Sequence, residues 1–503
     1  MSNDEGLLGH AYQHVTRGKP ASLYTNIANR IKDIIRPECL GRQKSASRKP
    51  PRPTAYLDGL RGFAALLVYW GHHQLWAHKS IKGHRIFENG FGFDRQFYFA
   101  AIPGIRNFFS GGHFAVSVFF VISGYVLATK PLRLMHAGRH MELADSLSSA
   151  LFRRWLRLYI PVIMTTFAFM TSWHAFGIWT LNAPHKESYR EELWAWYAEF
   201  KNFSFVLTTG GEPWFSYDMH TWSIATEMKG SLVIFTTLLA LCRATRTARL
   251  WCQVSLIFYL MYIADGALYA MFVAGMLLAD LDLLAYSNDL PRWLYKLQPF
   301  DEFIFNSMFF ISMYLGGIPQ SNTIADLRLS HGWYYLSFFK PQAVYDYKWF
   351  YLFIAAVLLV TCVPRLSWLK TFFETRFCQY MGRISFSFYL VHGPVMWTLG
   401  DRLYIAAGWF TEEHMPGGMA WRGLLPIPRV GPLGLEASFL LPHLIILPFT
   451  LWLAEVTTKL CDEPSVRFSA WLYSMVTGDF GSSARPSSPR PPLIDPGLVK
   501  LES

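Results

Sequence analysis

The chain has 503 residues, 52% of them hydrophobic, 17% aromatic and 16% charged, with a net charge of +11. A soluble domain carries about 25% charged residues. That deficit, with apolar stretches recurring at about 20 residues, excludes an ordinary water-soluble enzyme and predicts an all-α integral membrane protein. The positive charge does not imply nucleic acid, because Lys and Arg cluster between apolar segments and no RNA- or DNA-binding motif accompanies them. Six cysteines (Cys39, Cys242, Cys252, Cys362, Cys378, Cys461) contain no C-x-x-C pair, so neither a disulfide framework nor a zinc site is expected. His136 and His140 stand four apart without a third ligand nearby, and no bound metal or prosthetic group is expected.

In chain order, residues 1–55 form a polar, basic arm without the apolar core of a signal peptide. The first membrane helix then serves as the targeting signal. A transmembrane domain follows over residues 56–470, with about ten apolar spans near 57–77, 114–131, 158–180, 220–242, 249–265, 267–285, 303–319, 347–363, 382–400 and 435–458. With the arm in the cytosol, the loops 130–157, 243–248, 286–302 and 364–381 fall inside. They are rich in Lys and Arg, among them Arg153, Arg154, Arg157, Arg243, Arg246, Lys296 and Arg365. The long loop 181–218 falls outside and is acidic, with Glu187, Glu191, Glu192, Glu199, Glu212 and Asp218. This alternation places both termini in the cytosol. Asn202-Phe203-Ser204 is a glycosylation sequon on the outer side, and residues 476–503 form a Pro/Ser-rich tail expected to be disordered.

The sharpest segment is Leu57-Asp58-Gly59-Leu60-Arg61-Gly62, followed by an apolar run to Gly71-His72-His73. At about 100° per residue, Asp58 and Arg61 share a helical face, and His72 returns to the face of Arg61 almost three turns later. Ionisable groups within a membrane span are costly, and they face a protein interior or an aqueous path. Four further patches interrupt the apolar spans. Ser123 and Gly124 in Phe119–Tyr125 suit close helix approach. Arg153, Arg154 and Arg157 can face one anion, although a positive-inside anchor explains them equally well. His220, Ser223, Glu227 and Ser231 follow one helical stripe beginning beside Trp222, where a carboxylate paired to a neighbouring helix is the alternative to a substrate contact. Ser385, Tyr389 and His392 share a face, where simple packing is the plainer reading of the histidine.

In their order and spacing these segments resemble the membrane-bound acyltransferase-3 family, from about residue 55 to 470. The matching pieces are L-D-G-L-R-G with His eleven residues after the Arg (Asp58, Arg61, His72), F-F-V-I-S-G-Y (119–125) and R-R-x-x-R-x-x-x-P (Arg153 to Pro161). W-S-I-x-x-E (Trp222 to Glu227), I-S-F-S-F-Y-L-V-H-G (384–393) and Asp462-Glu463-Pro464 complete the set. The continuation Glu227 to Ser231 is most similar to the fungal branch, and the chain is expected to lack the esterase-like domain that many bacterial relatives carry at the C-terminus.

The resemblance implies a multi-pass enzyme that moves an acyl group, acetyl or another short chain, from acyl-CoA to a hydroxyl. It marks Arg61 and His72 as essential and the R-R-x-x-R segment as important. The residues support a matching mechanism. His72 serves as general base, since an imidazole titrates near pH 6.5, and an acyl-histidine intermediate stays open as the alternative. Arg61, braced by Asp58, orients or charge-balances the donor. Arg153, Arg154 and Arg157 hold the CoA phosphates. Glu227 and His392, with Trp222, Ser223 and Tyr389, line the acceptor side or fix the tautomer of His72. The expected acceptor is a small specialised metabolite of a fungus and the expected membrane the endoplasmic reticulum or another endomembrane; acetylation of a surface glycan is the alternative. A polytopic solute transporter is the rival of another class, but its paired repeats and matched broken helices are absent from the sequence.

Overall fold

A computed structural model describes residues 29, 31–37, 52–91, 97–180, 185–207, 214–320, 323–410 and 419–478. The chain divides into two compact units, residues 1–48 and 49–503. Of the first, residues 31–35 are helical; most of the basic arm lies outside the described residues, as does the tail from residue 479 onward.

Within the second unit no strand occurs among the described residues. The main helices are α1 (Ala55–Ala77), α2 (Gly112–His136), α3 (His140–Phe176), α4 (Tyr189–Phe203) and α5 (Trp222–Ala240). They continue with α6 (Arg246–Tyr262), α7 (Ala267–Tyr286), α8 (Asp301–Gly316), α9 (Tyr347–Cys362) and α10 (Ser367–Phe373). The last are α11 (Arg376–Val395), α12 (Asp401–Ala406), α13 (His443–Thr457) and α14 (Glu463–Thr477). A helix stands at each of the ten apolar segments read from the sequence.

The count of spans is a different matter. Among the described residues, three stretches are long and apolar enough to cross a membrane: α2, α7 and the run Ala437–Thr477 containing α13 and α14. The pair α9 and α10 makes a fourth only if its 96° bend is one broken span. The remaining helices miss the criterion for physical reasons. Helices α6 and α8 have 17 and 16 residues, short of the roughly 20 that cross a hydrocarbon core. Helix α1 has the length, 23 residues, but carries Asp58, Arg61, His72, His73 and Gln74.

What positions the site is the contact between α1 and α11. A Cβ on Gly62 would lie 2.2 Å from the backbone nitrogen of Gly382, and one on Gly382 would lie 2.3 Å from the carbonyl oxygen of Asp58. Only glycine allows the two backbones to touch in this way. Ten residues further along each helix, His72 meets His392 at 2.9 Å. The same offset in both contacts means that α1 and α11 run parallel. Helices α2 and α7 cross in a similar manner. A Cβ on Gly124 would lie 2.0 Å from the carbonyl oxygen of Phe272, and one on Gly275 would lie 2.0 Å from that of Val121. Gly124 of the second span is therefore a packing residue.

Replacing Gly62 or Gly382 by Val should force α1 off α11. We expect a loss of about 1–3 kcal/mol, read as earlier unfolding of the detergent-solubilised protein in a denaturant series, with near wild-type stability for the control Phe97→Ser at an exposed position.

Candidate functional site

Two polar layers stand one above the other along α1. The first is a group of three histidines. His72 comes from α1 and His392 from α11, while His220 comes from the 3-10 turn Ser216–Thr221 that leads into α5. The rings of His72 and His220 stack at 3.9 Å with 14° between their planes. His220 also stacks on Trp397 at 4.9 Å. Gly393 leaves the room for this, since a Cβ there would sit 2.6 Å from Nδ1 of His220.

Hydrogen bonding fixes the tautomers. His392 Nδ1 lies 2.6 Å from the carbonyl oxygen of Tyr389. A carbonyl can only accept, so Nδ1 of His392 carries the proton and donates. In a neutral ring Nε2 is then an acceptor. His72 Nδ1, 2.9 Å away, must donate to it. That leaves Nε2 of His72 with its lone pair free, and no hydrogen bond occupies it among the described residues. The resting arrangement is that of an oriented base.

The same three histidines offer nitrogens within 4.8 Å of one another, enough in number for an ion. Imidazole lone pairs lie in the ring plane, however, and near-parallel stacked rings do not aim them at a common point. Nδ1 of both His72 and His392 is also engaged in hydrogen bonds. The arrangement fits a hydrogen-bonded stack better than an ion site.

Two of the sequence-derived residues act as fasteners here. Tyr389 and Ser223 meet hydroxyl to hydroxyl at 2.7 Å, and the Tyr389 hydroxyl also donates to the carbonyl oxygen of His220. Together they tie α5 and its lead-in turn to α11. Trp222 faces Trp349 at 5.7 Å and Phe120 at 6.4 Å, an aromatic wall on the first turn of α5.

The second layer is charged. Arg61 precedes His72 by eleven residues, about 16 Å along the helix. Around it the electrostatic neighbours are Arg157 and Asp462. Arg157 in turn neighbours Arg153 and Arg154. Arg154 is committed within the protein: it pairs with Glu227 and donates from Nε to Ser231 Oγ at 2.8 Å. Arg153 donates from Nε to the carbonyl oxygen of Ser149.

Two expectations need correcting. Asp58 does not brace Arg61. It is turned outward and pairs with Arg52 at 3.0 Å, because its own side of α1 opens at the helix end where solvent reaches it. The carboxylate beside Arg61 is instead that of Asp462, 401 positions away in the chain. Glu227 stands with the arginines, paired to Arg154, about 10 Å along the helix from His220.

Sequence reasoning also passed over two groups. His220 was visible as the head of a polar stripe but carried no assigned role. Asp218 is fully buried, both its carboxylate oxygens lack a hydrogen-bond partner among the described residues, and Oδ1 lies 3.8 Å from Nδ1 of His220. Its nearness to His220 depends on a backbone break at φ −156°, ψ 88°, which no periodicity reveals.

With this geometry in view, residues 54–454 match the family model described as an acyltransferase domain, and the chain belongs to the acyltransferase-3 family. It is 31% identical to O-acetyltransferase PaAT-1 of Phomopsis amygdali, over 93% of this chain and 96% of the relative. Acyltransferase clz18 of Cochliobolus lunatus is 21% identical over 70% of this chain and 84% of its own length. No solved structure matches. The chain is thus an acyltransferase of a membrane-embedded family.

If His392 orients His72, then His392→Ala should lower kcat by roughly 10²-fold while leaving the KM for the acyl donor near the wild-type value. Steady-state kinetics in purified membranes, with donor and acceptor varied in turn, would check both halves.

Proposed function

We propose that this protein is an O-acyltransferase that carries an acetyl or other short acyl group from acyl-CoA to a hydroxyl of a small fungal specialised metabolite. The observation that carries the reading is the free Nε2 of His72, presented by the donor chain that runs from His72 through His392 to the Tyr389 carbonyl. His72 Nε2 removes the hydroxyl proton as the acceptor oxygen attacks the thioester carbonyl. The C–S bond then breaks, and the sulfur leaves with the proton that His72 has just taken. One ester and one free CoA thiol result, and the imidazole returns to its resting tautomer.

The separation of the two layers suits this donor. An extended pantetheine arm spans a distance of the order of the 16 Å between His72 and Arg61. The thioester then lies at the histidines while the phosphates lie at Arg61, Arg153 and Arg157. Arg154, held by Glu227, fixes the wall of that basic site and acts on the donor through position. Trp222, with Trp349, offers an aromatic wall to an apolar acceptor. The acceptor class and the acetyl group are supported by the printed name of PaAT-1, an O-acetyltransferase from a fungus. We place both termini in the cytosol and the protein in the endoplasmic reticulum, on the loop charges and the arginine layer.

His72→Ala should abolish turnover, and release of free CoA thiol from acetyl-CoA in enriched membranes is the measurement; near-normal release would remove His72 from the chemistry. Silence of the wild-type membranes in the presence of extracted host metabolites would favour a transporter instead.

Arg157→Gln should raise the KM for acetyl-CoA by about tenfold, as the loss of one charge-assisted contact predicts, with a smaller change in kcat. An unchanged KM would take the phosphates away from this layer.

A further inference from the structure

A second basic site lies far from the histidines. His113, an electrostatic neighbour of His72, stands at the beginning of α2, and His136 closes the helix about 35 Å further along the axis. Here the ends of α2 and α7 and the start of α6 enclose a cavity of about 580 Å³, lined by Arg133, Arg246, Arg249, Ser287 and Asp289 among others.

The charges in this cavity do not cancel. Arg249 is spoken for, since Nε donates to the buried Asp280 at 2.7 Å, and Asp280 also receives His136 and Gln253. Arg246 pairs with Asp289 at 2.9 Å and donates to its carbonyl oxygen. Arg133 remains. Its buried Nε has no hydrogen-bond partner among the described residues, and its guanidinium lines the same space. Three arginines against two carboxylates leave one positive charge over.

We propose that this cavity binds a phosphate-bearing anion, with Arg133 as the principal ligand and Arg246 and the Ser287 hydroxyl beside it. A guanidinium recognises phosphate with two parallel hydrogen bonds, and the cavity has the volume of a small-ligand pocket. In the proposed orientation it opens at the cytosolic end of the bundle, where basic pockets between helices take anionic lipid headgroups. A soluble phosphate of the cytosol has the same chemistry. Its lining includes none of the arginines of α3, so its occupancy bears on stability and regulation and not on the acyl transfer step.

The test uses the full-length protein in nanodiscs and reads the thermal unfolding midpoint against ligand concentration. One arm compares discs of phosphatidylcholine alone with discs containing phosphatidylinositol. The other adds inorganic phosphate to the phosphatidylcholine discs. Arg133→Gln should weaken the anion that binds by about fivefold, the worth of one arginine at a membrane surface. Ser287→Asp, which places a carboxylate in the cavity without touching a buried pair, should weaken it further. Stabilisation in the first arm that both variants reduce assigns a lipid headgroup, and the same result in the second arm assigns a soluble phosphate. If both variants respond to both anions as the wild type does, the cavity is not a phosphate site.

Discussion

The backbone contact between Gly62 and Gly382 sets the register on which the candidate site depends. Two parallel helices in contact at one level keep the same register about 15 Å further on, ten residues along each. That second level holds His72 and His392. A Cβ at either glycine would need about 1 Å of backbone displacement to reach ordinary contact, which is enough to stretch the 2.9 Å bond between two short, stiff imidazoles beyond hydrogen-bond range. The glycines of the L-D-G-L-R-G segment and of Gly382-Arg383 are therefore part of the site's geometry while making no contact with any reacting group.

Much of this arrangement was legible along single helices. The alignment of Arg61 with His72 follows from the helical period alone, and the two layers separated by about 16 Å follow from the rise. The placement of Tyr389 and His392 on one face of α11 was visible for the same reason. Relations between helices were not. Nothing in the local pattern of Asp58 shows that it turns to Arg52, or that the carboxylate beside Arg61 comes from Asp462. The Arg154–Glu227 pair is similar: each residue stood out within its own segment, but only the packing of α3 on α5 joins them. His220 and Asp218 were hidden for another reason. They lie in a 3-10 turn with a non-helical residue inside it, where counting by 3.6 residues assigns the wrong faces.

The span count shows where hydropathy reading loses force. Ten apolar segments became helices, yet among the described residues three stretches, or four with the bent pair α9 and α10, have the length and hydropathy of a self-sufficient membrane span. Helices that line a polar interior need not be uniformly apolar, because neighbouring helices cover their charged faces. Helix α1 is the extreme case. It is the most informative segment chemically and fails the hydropathy criterion through the same residues that make it informative.

The choice of a histidine behind the base also has a physical logic. In a triad with a carboxylate, the orienting group is an anion, which is expensive to hold in a low-dielectric interior without further partners. In the proposed mechanism His392 orients His72 through a neutral ring whose own proton goes to a backbone carbonyl, so the hydrogen-bonded pair is uncharged at rest. The permanent charges of the site, Arg61, Arg157, Asp462, Arg154 and Glu227, are collected instead in the other layer, where opposite signs lie side by side. In the proposed reaction the imidazolium forms only while negative charge develops on the thioester, so each charge has its partner during its brief existence. A neutral base above and a compensated basic layer below is the division of labour that the proposed donor, long, with an uncharged reacting end and a highly charged far end, would require.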